Sequence, residues 1–340
     1  MDRRLWVPPP PKARPVSRYG PGEPGRRTGG QGKRSAGRTA TLLAVLIVAL
    51  GLLAICLLLV VVLALFPFHS GGRINLLLLG IDRRNGTGWA YRTDTIIVAT
   101  ADPQTRAAGM LSIPRDLQLA IPGYGEDRIN TANVYGYRQN KADGGPALLK
   151  ATVEANFGIP IDGYLMVDFQ TFEKIVDALG GIDVNVPKPL HDTRYPDPKP
   201  GDPYAFKTIH FDPGWQHMDG KRALEYARSR MSTTDFDRAR RQQLILLAIR
   251  KRALSLGAIP RWPSLATTVV DGVKTDMDLG DLLALAFLAV QIDTSNLKQV
   301  VLEHPLVVSY RRADGAAVQL PNWDLINPVI EDLFGPRSSR

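Results

Sequence analysis

The chain has 340 residues, of which 44% are hydrophobic, and its 42 Lys and Arg exceed its 33 Asp and Glu to give a formal charge of +9. Residues 1–40 hold ten basic residues against Asp2 and Glu23, and so carry +8 of that charge. The near-neutral remainder therefore lacks the basic excess of a nucleic-acid binder, and a single cysteine, Cys56, excludes disulfides and cysteine-based zinc sites.

In chain order, residues 1–40 contain seven prolines and seven glycines and almost no large apolar residue after Val16. Such a segment cannot bury enough surface to offset chain entropy, so it is predicted to be a disordered basic tail able to lie on anionic membrane lipid. Residues 41–66, TLLAVLIVALGLLAICLLLVVVLALF, carry no charge and no proline. As a helix they span about 39 Å, enough to cross a bilayer. The run outlasts a signal-peptide core and ends at Phe66-Pro67-Phe68 instead of a small-residue cleavage site, which favours a retained transmembrane helix. The basic flank predicts a cytoplasmic N-terminus at the cell membrane. Residues 67–72 then form a linker, 73–335 an extracytoplasmic domain and 336–340 a flexible end.

Within that domain, Ile74–Leu79, Thr95–Thr100 and Ala107–Ile113 read as buried strands, the last two joined as a hairpin at Asp102-Pro103. A helix is predicted over Gly144–Phe157, a strand over Tyr164–Val167, a helix over Phe169–Leu179 ended by Gly180-Gly181, and a strand over Ile182–Val186. Residues 187–208, rich in Pro, Asp and Lys, read as an exposed insertion. Asp219 caps a helix to about Arg228, and Phe236–Leu256 is a long amphipathic helix. The remainder reads as helix Leu279–Val290, strand Gln299–Leu302, an apolar stretch near Pro305–Tyr310 and helix Trp323–Phe334. The mixture predicts a single three-layer α/β/α domain with a central mixed sheet, after one N-terminal transmembrane helix.

Four clusters carry chemistry. Gly80-Ile81-Asp82-Arg83-Arg84 follows a buried strand, where ligand sites gather, although a charged loop there also simply restores solubility. Arg92-Thr93-Asp94-Thr95 opens the next strand, so Asp82 and Asp94 meet if the strands are neighbours; two carboxylates suit Mg2+ or Mn2+, while Asp94 alone equally suits a turn. In Ser112-Ile113-Pro114-Arg115-Asp116 the proline fixes the backbone from which Arg115 projects, as a phosphate ligand or as half of a surface pair. Finally, Arg228 and Arg230 share a face only if the backbone there is extended, and Arg238 and Gln242 share a helix face near its start. A solvated basic face would look similar. Acids for a metal and arginines for a polyanion together point to a phosphate or pyrophosphate substrate.

The ordered blocks NLLLLGID, RTDTI, LSIPRD, RINTANVYG, DGYLMVDF with ALGGIDVNV, GWQHMDGKRALEYARSR and DFDRARRQQ resemble the LytR-CpsA-Psr family of bacterial cell-wall ligases, over roughly residues 73–335. The resemblance implies a membrane-anchored phosphotransferase. It would move the sugar 1-phosphate end of a glycopolymer from an undecaprenyl-pyrophosphate carrier to a peptidoglycan hydroxyl. It also implies Asp82, Asp94 and Arg115 as catalytic residues, Asp82 and Asp94 as Mg2+ ligands, and Arg115, Arg228, Arg230, Arg238 and Gln242 as pyrophosphate ligands. Arg92 and Asp235 are additional candidates, and an apolar groove for the prenyl chain is expected between sheet and helices. Leu119 stands where some members have another arginine, Asp237 where glycine is common, and residues 187–208 form a longer insertion. A lipid-pyrophosphate hydrolase and a non-catalytic lipid-binding regulator are the competing readings.

Overall fold

The computed structural model describes residues 72–83, 91–140, 142–202, 204–230 and 234–335, all within one compact unit, Val62–Arg340. The predicted tail, transmembrane helix and most of the linker lie outside the described residues. Among the described residues no helix is long and apolar enough to cross a membrane.

Among the described residues the strands are β1 (Ile74–Ile81), β2 (Thr93–Ala101), β3 (Ala108–Ser112), β4 (Gln118–Ile121), β5 (Gly125–Arg128), β6 (Gly163–Asp168), β7 (Ile182–Val186), β8 (Leu190–Pro196), β9 (Phe206–Phe211), β10 (Gly214–Met218), β11 (Lys274–Thr275), β12 (Lys298–Val301), β13 (Val307–Arg311) and β14 (Ala317–Pro321). The α-helices are α1 (Ala132–Gln139), α2 (Gly144–Phe157), α3 (Phe169–Ala178), α4 (Gly220–Arg228), α5 (Asp235–Ala253), α6 (Trp262–Gly272), α7 (Leu279–Gln291) and α8 (Trp323–Phe334). Six strands form the main sheet in the order β11-β6-β1-β2-β3-β12. It is mixed: β1 runs parallel to β6 and antiparallel to β2, and β3 runs antiparallel to β2 and parallel to β12.

Helices cover both faces, which is why β1 reads as an unbroken apolar run. On one face Leu77, Leu79, Ile96 and Val98 pack with Leu149, Val153 and Phe157 of α2 and Ile326 and Ile330 of α8. On the other, Leu78, Ile97, Leu165 and Val167 look across a cleft at Phe172 of α3 and Ile245 and Ile249 of α5. A second core, with Val176, Val184, Tyr195, Phe211 and Tyr226 fully or nearly buried, joins α3 and α4 to the β7–β10 and β8–β9 pairs. The α/β expectation with a central mixed sheet holds. Gly158 ends α2 in the left-handed conformation at φ 68°.

Residues 187–208 are not a mere exposed insertion. They supply β8 and the approach to β9, an antiparallel hairpin in which Leu190, Asp192 and Tyr195 turn inward. Asp192 apart, the prolines, acids and lysines of the segment mostly sit at outward positions and near the tip. Composition therefore masked a strand whose alternation is also broken by a register shift between Asp192 and Tyr195.

Helix α4 must be held closely because it ends at Arg228. A Cβ on Gly220 would lie 2.3 Å from the Glu173 carbonyl oxygen of α3. Gly220→Ala is therefore expected to push α4 away and cost about 1–3 kcal/mol, measured as a fall in the denaturant midpoint.

Candidate active site

The site is built where β1 ends and β2 begins. Gly80 pairs with Thr95 but Ile81 pairs with Thr93, so Asp94 is the extra residue of a β-bulge. A bulge re-aims the unpaired side chain, and here Asp94 joins Asp82 in lining one cavity of about 430 Å³. Arg115 enters from the turn after β3. Its Nη1 lies 2.5 Å from Asp94 Oδ1, and its Nε lies 3.5 Å from Asp116 and 3.8 Å from Asp235.

Helix α4 stops at Arg228 because Ser229 leaves the helical region, with ψ at 141°. The extended backbone that Arg228 and Arg230 need to share a face is therefore present. Arg228 lies over the Phe169 ring at 4.1 Å, donates to the Tyr195 hydroxyl at 3.1 Å and approaches Asp82 at 3.6 Å. Arg230 reaches to 3.6 Å from Asp94 and 3.9 Å from Asp235.

A capping box starts α5: Thr234 Oγ1 accepts from the Asp237 amide and Asp237 Oδ2 from the Thr234 amide, each at 3.1 Å. Asp237 thus fixes the helix start. One turn on, Arg238 is buried, with Asp235 at 3.1 Å, and Gln242 follows on the same face. Burial, reinforced by Arg230 and Arg115, pushes the Arg238 guanidinium down to about 10 against the opposing pull of Asp235 and Asp94. Arg115 behaves oppositely. Burial works against its charge, but Asp94, Asp116 and Asp235 outweigh that and raise its pKa.

Two buried nitrogens here, Arg115 Nε and Arg238 Nη1, face carboxylates, Asp116 at 3.5 Å and Asp235 at 3.1 Å, but make no hydrogen bond of good geometry among the described residues. A buried guanidinium N–H without a well-aligned acceptor is costly, and a bound anion would supply that acceptor. The lining arginines, Arg115, Arg194, Arg228, Arg230 and Arg238, outnumber the acids Asp82, Asp94 and Asp192 by two. Two carboxylates in an arginine-lined cavity also fit a hard divalent cation that completes its shell with substrate phosphate and water. Among the described residues no cluster of three or more His, Cys, Asp or Glu offers an all-protein metal site.

Thr95, Phe169, Arg228 and Gln242 line both this cavity and a second of about 320 Å³, the cleft between the sheet and α3–α5. That cleft is walled by Leu78, Ile97, Leu165, Val167, Phe172 and Ile249, the apolar groove whose lining the sequence left open. A charged chamber thus meets a greasy one.

Residues 62–329 match the LytR_cpsA_psr family. This chain belongs to that family. It is 36% identical over 216 residues to the polyisoprenyl-teichoic acid–peptidoglycan teichoic acid transferase TagU of Oceanobacillus iheyensis, covering 62% of this chain and 61% of the relative. It is 33% identical over 233 residues to the transferase of the same description, TagV, of Bacillus subtilis, covering 66% of this chain and 56% of the relative. The match thus spans less than two thirds of each of these relatives. The structure of B. subtilis TagV superposes with a TM-score of 0.61 at 27% identity, covering 78% of this chain and 98% of that one. A structure of TagT bound to LI-WTA gives a TM-score of 0.59 at 26% identity, covering 78% and 92%.

Of the candidate residues of this family member, Asp82, Asp94, Arg115, Arg228, Arg230, Arg238 and Gln242 line the charged cavity. Asp235 stands at its edge, bridging Arg115, Arg230 and Arg238. Arg92 does not line it. It lies in a separate basic cavity of about 390 Å³ with Arg128, Arg138 and Arg312. Leu119 is buried in the core on β4 and cannot replace a phosphate contact. Sequence reasoning missed Asp192, Arg194 and Tyr195, all on the β8 hairpin. Asp192 is buried and accepts from Ser229 Oγ at 2.7 Å, Arg230 N at 3.2 Å and Arg194 N at 2.9 Å, and so pins the Arg228–Arg230 segment. Asp192→Ala is expected to cost about 2–3 kcal/mol of stability and to weaken anion binding in the arginine-lined cavity, whereas Ser229→Ala costs only about 1 kcal/mol. Thermal unfolding beside a binding titration checks both.

Proposed function

We propose that the chain is a glycopolymer transferase anchored by residues 41–66, with residues 73–335 outside the cell membrane. Its donor would be a glycan carried on a polyprenyl pyrophosphate, and its acceptor a hydroxyl of peptidoglycan. The observation that carries this reading is the junction of the two cavities at Arg228 and Gln242. A pyrophosphate diester carries two negative charges at neutral pH, which suits a chamber lined by Arg115, Arg194, Arg228, Arg230 and Arg238. Its prenyl tail matches the adjoining groove, and the names of TagU and TagV support such a donor and acceptor.

In this reading the acceptor oxygen attacks the sugar-side phosphorus, and the bond to the prenyl phosphate breaks with its electron pair leaving on that phosphate. Arg115, Arg228, Arg230 and Arg238 take up the negative charge that builds on the leaving group. A carboxylate of the Asp82–Asp94 pair accepts the acceptor's proton. Mg2+ held by these two acids would supply further charge neutralisation when bound. The proposal leaves nucleic acid out of the partners.

Titrating the full-length protein with polyprenyl diphosphates of increasing chain length tests the head-and-tail reading. Affinity should rise with length until the groove fills, fall with Arg228→Ala at every length, and depend on Mg2+ through Asp82. Affinity that ignores chain length would sink it.

A further inference from the structure

A greasy groove raises a transport problem, because a long prenyl tail leaving the bilayer for it must not cross water. The outer surface beside the groove answers this. Helix α7 is built the wrong way round for a soluble protein. Only Gly280 and Leu288 are buried, while Leu279, Leu283, Phe287 and Val290 are 65%, 47%, 42% and 61% exposed. These positions recur every three to four residues, so they form one continuous stripe. Val270 on neighbouring α6 is 66% exposed, and α6 has no buried residue. An exposed apolar face of this kind marks a surface that meets something apolar.

Two further observations name the occupant. Val269 and Val273 at the end of α6 and Leu282 of α7 line the groove, so the exposed face runs into its mouth. The start of β1 also packs here, with Ile74 and Leu76 against Leu285 and Leu288. Ile74 is eight residues after Phe66, the last residue of the apolar run 41–66. The eight Cα–Cα steps reach at most about 29 Å, so with residues 41–66 spanning the bilayer, as in the proposed function, Ile74 and the part of α7 packed on it stay within that distance of its outer surface.

We propose that the α6–α7 face dips into the outer leaflet and forms the portal through which the prenyl tail passes from membrane to groove. The inference rests on the reading of the chain as a tethered user of polyprenyl lipid. The stripe lies among lipid tails at headgroup depth. Leu282, Val269 and Val273 then continue the apolar path inward, towards a head site at the opposite end of β1.

The test uses the full chain with Cys56→Ser, reconstituted in phosphatidylethanolamine–phosphatidylglycerol vesicles. An environment-sensitive fluorophore is placed at Phe287→Cys or, as control, at Asp314→Cys in the β13–β14 turn. A nitroxide lipid labelled near its headgroup should quench position 287 about twofold or more and leave 314 unchanged. Equal quenching at both positions, or none at 287, overturns the proposal. So does a label at 287 that is shielded without nitroxide quenching in a protein that sediments as a dimer, since a second copy then covers the face. In a parallel assay, Leu283→Asp with Phe287→Asp should slow extraction of long-chain polyprenyl diphosphate from vesicles about tenfold. Binding of a short, water-soluble homologue should be unchanged, because neither residue lines the groove. Equal loss of both would show damage to the fold and end the proposal. If wild-type protein binds no polyprenyl diphosphate but position 287 is still quenched, the functional reading fails while the membrane face stands.

Discussion

Arg115→Ala is expected to reduce transfer by about 10²–10³-fold, the usual effect of removing one preorganised donor to developing charge. Arg115 is the cation among three acids, Asp94 at 2.5 Å, Asp116 at 3.5 Å and Asp235 at 3.8 Å. Its loss removes a phosphate donor and also leaves those carboxylates facing an incoming anion. Arg115→Lys should rescue little, because a single ammonium cannot hold Asp94 and present a free N–H in Arg115's fork geometry. The double variant Asp94→Ala, Arg115→Ala should be scarcely worse than either single one, since the two act as a unit. Initial rates on the purified full-length variants, with unfolding curves to confirm folding, decide this. Additive losses would mean that the pair does not work together.

Arg238→Met should do something less intuitive: stabilise the ligand-free protein while abolishing tight pyrophosphate binding. Burial holds the Arg238 guanidinium near 10, well below its ordinary value. A base whose pKa falls on folding costs the fold free energy at every pH below the lowered value. That cost fades only as pH rises through about 10 toward the ordinary guanidinium range. The gain for Arg238→Met should therefore be flat between pH 5 and 9 and on the order of 3 kcal/mol, less what Asp235 loses with its partner. Denaturant unfolding across that range, with and without pyrophosphate, checks it. Ligand should stabilise the wild type and leave the variant unmoved. A variant less stable than wild type without ligand would show that Arg238 is a structural ion pair.

Much of this was legible from residue order because the relevant signals are local. Asp219 and Gly158 mark α4 and α2 where side-chain capping and a left-handed glycine predict them. Arg238 and Gln242 lie one helical turn apart in any α-helix. What stayed hidden depends on partners far along the chain. Nothing local to Asp94 announces a bulge, which arises only from the register against Gly80 and Ile81. Arg92, two residues before Asp94, was grouped with it by adjacency, yet the strand start separates the two into different cavities. Asp192 and Arg194 were obscured because β8 lies within residues 187–208, a segment whose Pro, Asp and Lys content looks like a loop. Only the inward-facing Leu190 and Asp192, and Tyr195 beyond a register shift, betray it. The hairpin β4–β5 and helix α1 escaped for a related reason, since α1 has a weak apolar face and few buried positions.

The most direct test of the transferase reading follows the phosphorus. Full-length protein in vesicles would be given a polyprenyl-pyrophosphate-linked glycan, Mg2+ and peptidoglycan fragments, with the products resolved by mass spectrometry. The expected products are acceptor carrying the glycan through its phosphate and, in equal amount, polyprenyl monophosphate, both lost with Arg115→Ala. Free glycan phosphate formed without acceptor would contradict transfer and leave a hydrolase, and donor bound but unchanged would leave a lipid-binding protein without this activity.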